Sequence, residues 1–298
     1  MVGIVTDCGD PAGSELRNAL MQNAEPRGQR WALGVEYDGS SFVGWQRQKD
    51  GPSVQAVVEQ ALGFVAGHRV DLSCAGRTDA GVHAIGQVIH FDTAATREER
   101  NWLLGANARL PASVALLWAR KVPWTFHARF SAQARRYRYI IANQEVRPAI
   151  QASGLAWWRY PLDAVLMHNA AQYLVGTRDF TSLRAVACQS KSSVKTIHSV
   201  SVRRQGRHVV LDIHANAFLH HMVRNIAGIL IPIGQGKRDV AWVRDVLEAR
   251  DRRASGITAP AGGLYLVGVD YDPAYGLPAP GNQPVWPLAP VPDCRRQG

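Results

Sequence analysis

The stretch VDLSCAGRTDAGVHAIGQVIHF, residues 70–91, carries two apolar runs on either side of a glycine-bounded polar bend. Val70, Leu72 and Cys74 alternate into the bend, and residues 87–91 read as a strand leaving it. Between Gly76 and Gly81 stand Arg77, Thr78 and Asp79. Glycine tolerates positive φ and close approach of another backbone, so a tight, exposed bend is expected here. If Arg77 and Asp79 lie on extended backbone, their two-residue spacing turns both side chains the same way, and the guanidinium keeps the carboxylate ionised. An ionised, oriented carboxylate is a candidate nucleophile. A loop ion pair, with the glycines serving only the turn, accounts for the spacing equally well.

Working outward, Trp31, Leu33, Val35 and Tyr37 alternate as in a half-buried strand. Ser53 is a plausible N-cap for a helix with Val54, Val57, Val58, Ala61, Leu62 and Val65 on one face, ended by Gly67. Residues 97–108 read as helix and 114–122 as strand. The first half is thus strand, helix, strand, strand, helix, strand, the ferredoxin-like order, with Asp79 between the two middle strands. The second half repeats it: a strand at 137–142, a helix face from Leu162 to Leu174, strands at 197–202 and 209–213 around Gln205-Gly206, helices at 218–231 and 240–249, and a strand at 264–269. The expected fold is α+β: two ferredoxin-like subdomains, 30–125 and 126–276, sharing a mainly antiparallel sheet with a central basic cleft. Residues 1–29 read as a loose extension, with a short helix possible around Ser14. The proline-dense 277–298 reads as a disordered tail.

The 298 residues carry 34 Lys and Arg against 24 Asp and Glu, and a net charge of +10 makes a polyanion such as nucleic acid the first expected partner. Cys8, Cys74, Cys188 and Cys294 form neither paired metal-ligand spacing nor a disulfide framework, which fits a reducing cytoplasm. No stretch approaches a membrane span, and no secretory leader opens the chain. Arg135, Arg136, Tyr137, Arg138 and Tyr139 interleave cations with rings, a composition suited to phosphates and an unpaired base. Alternation puts both tyrosines on one face, so one of them can be plain core. Arg184, Lys191, Lys195, Arg203, Arg204, Arg207, Arg250, Arg252 and Arg253 extend the expected basic surface. His220 and His221 precede Arg224 at helical spacing. The adjacent histidines invite a zinc reading, but no further ligands appear at zinc-site spacing, so no metal is expected. His83, His90, His127 and His198 show no partner in the sequence.

The residue 74–84 motif is followed or preceded, in order, by Tyr37-Asp38-Gly39, Gly44-Trp45-Gln46-Arg47-Gln48, Phe126-His127-Ala128-Arg129, Arg135-Arg136-Tyr137-Arg138-Tyr139, His220-His221-Met222-Val223-Arg224-Asn225 and Gly263-Leu264-Tyr265-Leu266. From about Arg30 to Tyr275 this set resembles the tRNA pseudouridine synthase A family. The resemblance implies an isomerase acting without cofactor on anticodon stem-loop uridines, at about positions 38 to 40 of tRNA, each of which must leave its stack to be reached. It implies Asp79 as catalytic aspartate, Arg77 and Arg224 as its partners, Tyr137 as the ring that packs on the uracil with its hydroxyl placed for proton transfer, and Leu264 as an apolar active-site residue. Trp45, Arg47, Lys49 and Arg129 are expected along the RNA path. A homodimer is implied as well. The competing expectation is a non-catalytic RNA-binding or RNA-chaperone protein, which explains charge and architecture but leaves Gly-Arg-Thr-Asp-Ala-Gly without a purpose.

Overall fold

The protein is described here by a computed structural model covering residues 28–185, 188 and 190–280. The possible helix near Ser14 and most of the proline-rich tail lie outside these residues.

The first half comprises β1 (Gln29–Tyr37), α1 (Val54–Ala66), β2 (Leu72–Cys74), β3 (His83–Thr93), α2 (Glu99–Asn107) and β4 (Val114–Val122). Local chemistry sets the helix ends. The Ser53 hydroxyl accepts from the Ala56 N–H, and Gly67 closes α1 at φ 74°, a conformation glycine takes without steric cost. The second half comprises β5 (Ala134–Asn143), β6 (Ala156–Trp158), α3 (Ala164–Ala171), β7 (Gly176–Asp179), β8 (Val194–Gln205), β9 (His208–Ala215), α4 (Met222–Gly234), α5 (Trp242–Ala249) and β10 (Leu264–Asp270). Asp163 caps α3 by accepting from the Val165 and Leu166 N–H groups.

One sheet runs β4-β1-β3-β10-β5-β9-β8-β7, with β2 also on β3 and β6 on β5. Leaving out β6 and β7, each half places its own four strands in the order fourth, first, third, second. The expected repeat of element order is therefore also a repeat of sheet order. All pairings are antiparallel except β10 with β3 and β5 with β6. The two short strands β6 and β7 were not anticipated, because three or four residues carry no readable period. Two expected helices are shorter than their apolar patterns. The segment from Leu162 finishes as a 3-10 turn at Gln172–Leu174, and α4 starts at Met222 rather than near Phe218 because His221 takes φ 62°.

One continuous core fills the space between the helices and one sheet face, from Trp31 and Leu33 in the first half to Ile229 and Leu230 in the second. On the other face, a smaller cluster gathers Ile140, Ala142, Leu155 and Val210.

The joint between the halves is a fork. β1 takes one edge of β3 along nearly its whole length. The other edge is divided: β2 pairs with Ile89, His90 and Phe91, and β10 pairs with His83 and Ala84. β2 and β10 diverge across that edge, and the bend between β2 and β3 lies in the gap. Gly86 makes the crossing possible, since a Cβ there would stand 2.5 Å from the Val267 carbonyl oxygen. Gly86→Ala should therefore force β10 off β3 and cost about 1–3 kcal/mol, as overpacking usually does. Thermal unfolding followed by circular dichroism checks this, and an unchanged melting temperature would contradict it.

Candidate active site

The bend from Ala75 to Val82 is held from beneath. Ala75 donates to the Val88 carbonyl, and the buried Gln87 amide donates to the Gly76 carbonyl at 2.6 Å while its oxygen accepts from the Gly76 N–H. Trp45 donates its backbone N–H to Thr78, whose hydroxyl lies 2.7 Å from the Tyr37 phenol. Gly81, at φ 75°, completes the turn, with the Val82 N–H bonded to the Asp79 carbonyl. Asp79 thus stands on a bend whose backbone groups are bonded to β3 and to the Gly44-Trp45 loop, with its side chain 27% exposed.

Three groups from the second half meet that carboxylate. His220 Nε2 lies 3.0 Å from Oδ1, while His221 Nε2 and Arg224 lie 3.2 and 3.4 Å from Oδ2. Arg224 is itself aimed, because its Nε donates to the Ala259 carbonyl and the Ala259 N–H returns a bond to the Arg224 carbonyl. Asp79 also faces the N-terminal end of α4, where the unpaired N–H groups favour an anion. Burial holds the His221 imidazole below its ordinary pKa. The Asp79 charge opposes this, and the positive surroundings of His220, Arg224 and Arg252 add to it.

Tyr137 lies on β5 in the helix-side core, in register with Leu266 of β10. Its ring meets Phe218 edge-on at 4.9 Å, and its hydroxyl is near Gly76. Burial pushes the phenol well above its usual pKa, with Arg135 opposing and the Asp79 charge adding, so it stays protonated at neutral pH. Tyr139 is the core tyrosine that alternation anticipated: fully buried, it donates to the Pro260 carbonyl. Leu264 pairs with Tyr139 and is buried.

Several expectations are corrected. Arg77 is exposed and does not ion-pair with Asp79; Arg224 and the two histidines take that place. Trp45, expected on the RNA path, is 2% exposed and packs against Tyr37 beneath the bend. Arg47 pairs with Glu59 of α1. Arg129 is exposed beside Phe130, its guanidinium 5.5 Å from the ring. The arginines of the tyrosine strand bond within the protein, Arg136 from an exposed position. Arg135 donates to four carbonyls, those of Ala75, Arg129, Ala132 and Asn216, whereas Arg136 pairs with Asp270 and Arg138 with Asp212. Of the outlying basic groups, Arg203 also pairs with Asp212, and Arg252 bonds Asn225, Ser255, Gly256 and Thr258. Histidines without apparent partners have them: His83 accepts from Gly39 and reaches Ser153, and His90 accepts from Ala128.

Asp79 is the third group that zinc-site spacing does not reveal beside the histidine pair. Its oxygens and the two imidazole nitrogens all lie within 4.8 Å of one another, close enough for a divalent cation to bridge. Arg224 already supplies a positive charge at that spot.

A partly exposed carboxylate facing a guanidinium and two imidazoles, with the buried Tyr137 ring close by, fits attack on a base taken out of an RNA stack. Comparison with known proteins agrees. The sequence profile of the family described as tRNA pseudouridine synthase matches residues 34–131 and 170–272. The chain is 56% identical over 257 residues to the tRNA pseudouridine synthase A of Aeromonas salmonicida, which spans 86% of this chain and 96% of the relative. It is 57% identical over 261 residues to the protein of that name from Pseudomonas aeruginosa, covering 87% of this chain and 92% of the relative. These likenesses do not favour a non-catalytic RNA-binding protein. Likeness at this level over nearly the full length of both sequences, joined to the family profile, places this chain in the tRNA pseudouridine synthase family and makes it an isomerase.

Proposed function

We propose that this protein isomerises uridine to pseudouridine in the tRNA anticodon stem-loop, at about positions 38 to 40, with Asp79 as the nucleophile or base that starts the reaction on the flipped nucleotide. The chemistry breaks the bond from C1′ to N1, turns the freed uracil, forms a bond from C1′ to C5, gains a proton at N1 and loses one from C5. Product and substrate are isomers, so no cosubstrate is consumed. The observation that carries this reading is the Asp79 carboxylate, partly open to solvent and facing Arg224 and two imidazoles. Arg224 orients the anion, and Arg77, exposed on the same bend, contacts RNA rather than Asp79. Tyr137 packs on the uracil beside Leu264. Because its phenol is protonated in the free enzyme, it acts as a relay, taking the C5 proton as it passes its own to water, while water supplies the proton gained at N1. Arg47 and Arg129 are assigned to the RNA path on their exposure.

Asp79→Asn keeps the size of the side chain and loses the anion. It should bind tRNA and melt like the wild type while single-turnover isomerisation falls at least about a thousandfold, the scale seen when an essential nucleophile is removed. Tritium release from C5-labelled uridine in an anticodon stem-loop measures this, and substantial residual release would contradict it.

Tyr137→Phe keeps the ring and removes the relay. Turnover should fall about a hundredfold to ten-thousandfold, the usual contribution of a positioned proton-transfer group, with binding retained. A rate within error of wild type, with only about 0.5–1.5 kcal/mol of stability lost, would make the hydroxyl structural.

A homodimer working in the cytoplasm belongs to the same proposal, supported by the family resemblance. Among the described residues no helix is long and apolar enough to cross a membrane. Sedimentation equilibrium should give twice the 32.7 kDa chain mass, and a monomer at micromolar concentration would remove the dimer.

A further inference from the structure

Neither histidine has a role in the chemistry above, yet they are two of the three groups that touch Asp79. We propose that His220 and His221 are positioning residues that fix the plane of the Asp79 carboxylate, His220 by an Nε2–H hydrogen bond to Oδ1 and His221 by holding its ring 3.2 Å from Oδ2. This rests on the reading of Asp79 as the initiating group.

The geometry supports a built device. Successive side chains ordinarily diverge, on opposite sides of a strand or about 100° apart around a helix. Here both rings reach one carboxylate, their centroids 4.0 Å apart. Residue 221 makes this possible by taking φ 62°, the left-handed region that costs a side-chain-bearing residue about 1–2 kcal/mol. The neighbourhood holds that conformation. The Ala185 N–H donates to the His220 carbonyl, the His220 N–H donates to Cys188 Sγ at 3.4 Å, and the Asn225 N–H donates to the His221 carbonyl. Strain kept in place by surrounding bonds at an active site marks a functional constraint.

The His220 bond also supplies what Arg224 does not. A guanidinium 3.4 Å from Oδ2 attracts the charge but leaves Oδ1 free and the carboxylate able to turn about its last bond. Separate donors at Oδ1 and Oδ2 define the plane, and a reacting atom approaching one lone pair depends on that angle.

The test compares the double variant His220→Ala/His221→Gly, which removes both rings and relieves the backbone at 221, with His220→Gln/His221→Asn, which keeps two amide donors and a residue tolerant of positive φ. Single-turnover rate, tRNA affinity and melting temperature are measured for each, with and without EDTA. The Ala/Gly variant should lose about 10- to 100-fold in rate, the worth of a hydrogen bond to a charged group, at unchanged affinity and folding. The Gln/Asn variant should recover part of that loss. An unchanged Ala/Gly rate, a loss confined to affinity, or no recovery with the amides would overturn the proposal. So would a wild-type rate abolished by EDTA and restored by zinc, since the three groups would then be ligands. Wild-type inactivity on tRNA sinks the reading of Asp79 itself, whereas wild-type turnover with unaffected variants sinks only the role of the histidines.

Discussion

One edge of β3 is shared by two strands, and the site follows from that division. A strand edge offers a single row of N–H and C=O groups, so β2 and β10 cannot both run its length. They part, and the chain linking β2 to β3 has to bend inside the opening. The bend leaves Asp79 facing the second half of the protein, where α4 brings Arg224 and the two histidines. Gly86 removes the side chain that would keep β10 away, and Gln87, the next residue, ties the bend down. Two neighbouring residues therefore serve the crossing and the Asp79 bend together.

The electrostatics around Asp79 come from several moderate sources. A helix terminus, one guanidinium and two imidazoles surround a carboxylate that keeps part of its surface in water. Full burial would have pushed the carboxyl toward its neutral form, and full exposure would have let water compete for its lone pairs. Tyr137 stands at the opposite extreme: its depth in the core keeps the proton on oxygen and makes the ring a rigid wall. A partly exposed carboxyl and a firmly protonated phenol thus stand close together.

Much of this was legible in the chain. Alternation and helical spacing gave the repeated element order, and the glycine-bounded bend singled out Asp79. What failed did so for identifiable reasons. Arg77 was expected to face Asp79 because spacing of two assumes extended backbone, which a turn ending at Gly81 does not keep. Trp45 and the Arg135, Arg136 and Arg138 group looked like RNA contacts because composition cannot tell a cation that meets phosphate from one that meets a carbonyl or Asp270 in its own sheet. The histidine pair was read on helical geometry, and a single positive φ at 221 moved both rings onto Asp79. Long-range partners such as Ala259 for Arg224 leave no mark on local sequence.

The pairing of Tyr265 with His83 joins positions roughly 180 residues apart, a loop whose closure is slow and comes late. Synthesis proceeds from the N-terminus, so Asp79 leaves the ribosome long before Arg224, and the strand that completes the fork is the last of the described strands to be made. A nascent chain presents the aspartate alone, without the guanidinium and imidazoles of the second half. The Asp79 surroundings are therefore complete only when the C-terminal half has been made and β10 has docked on β3.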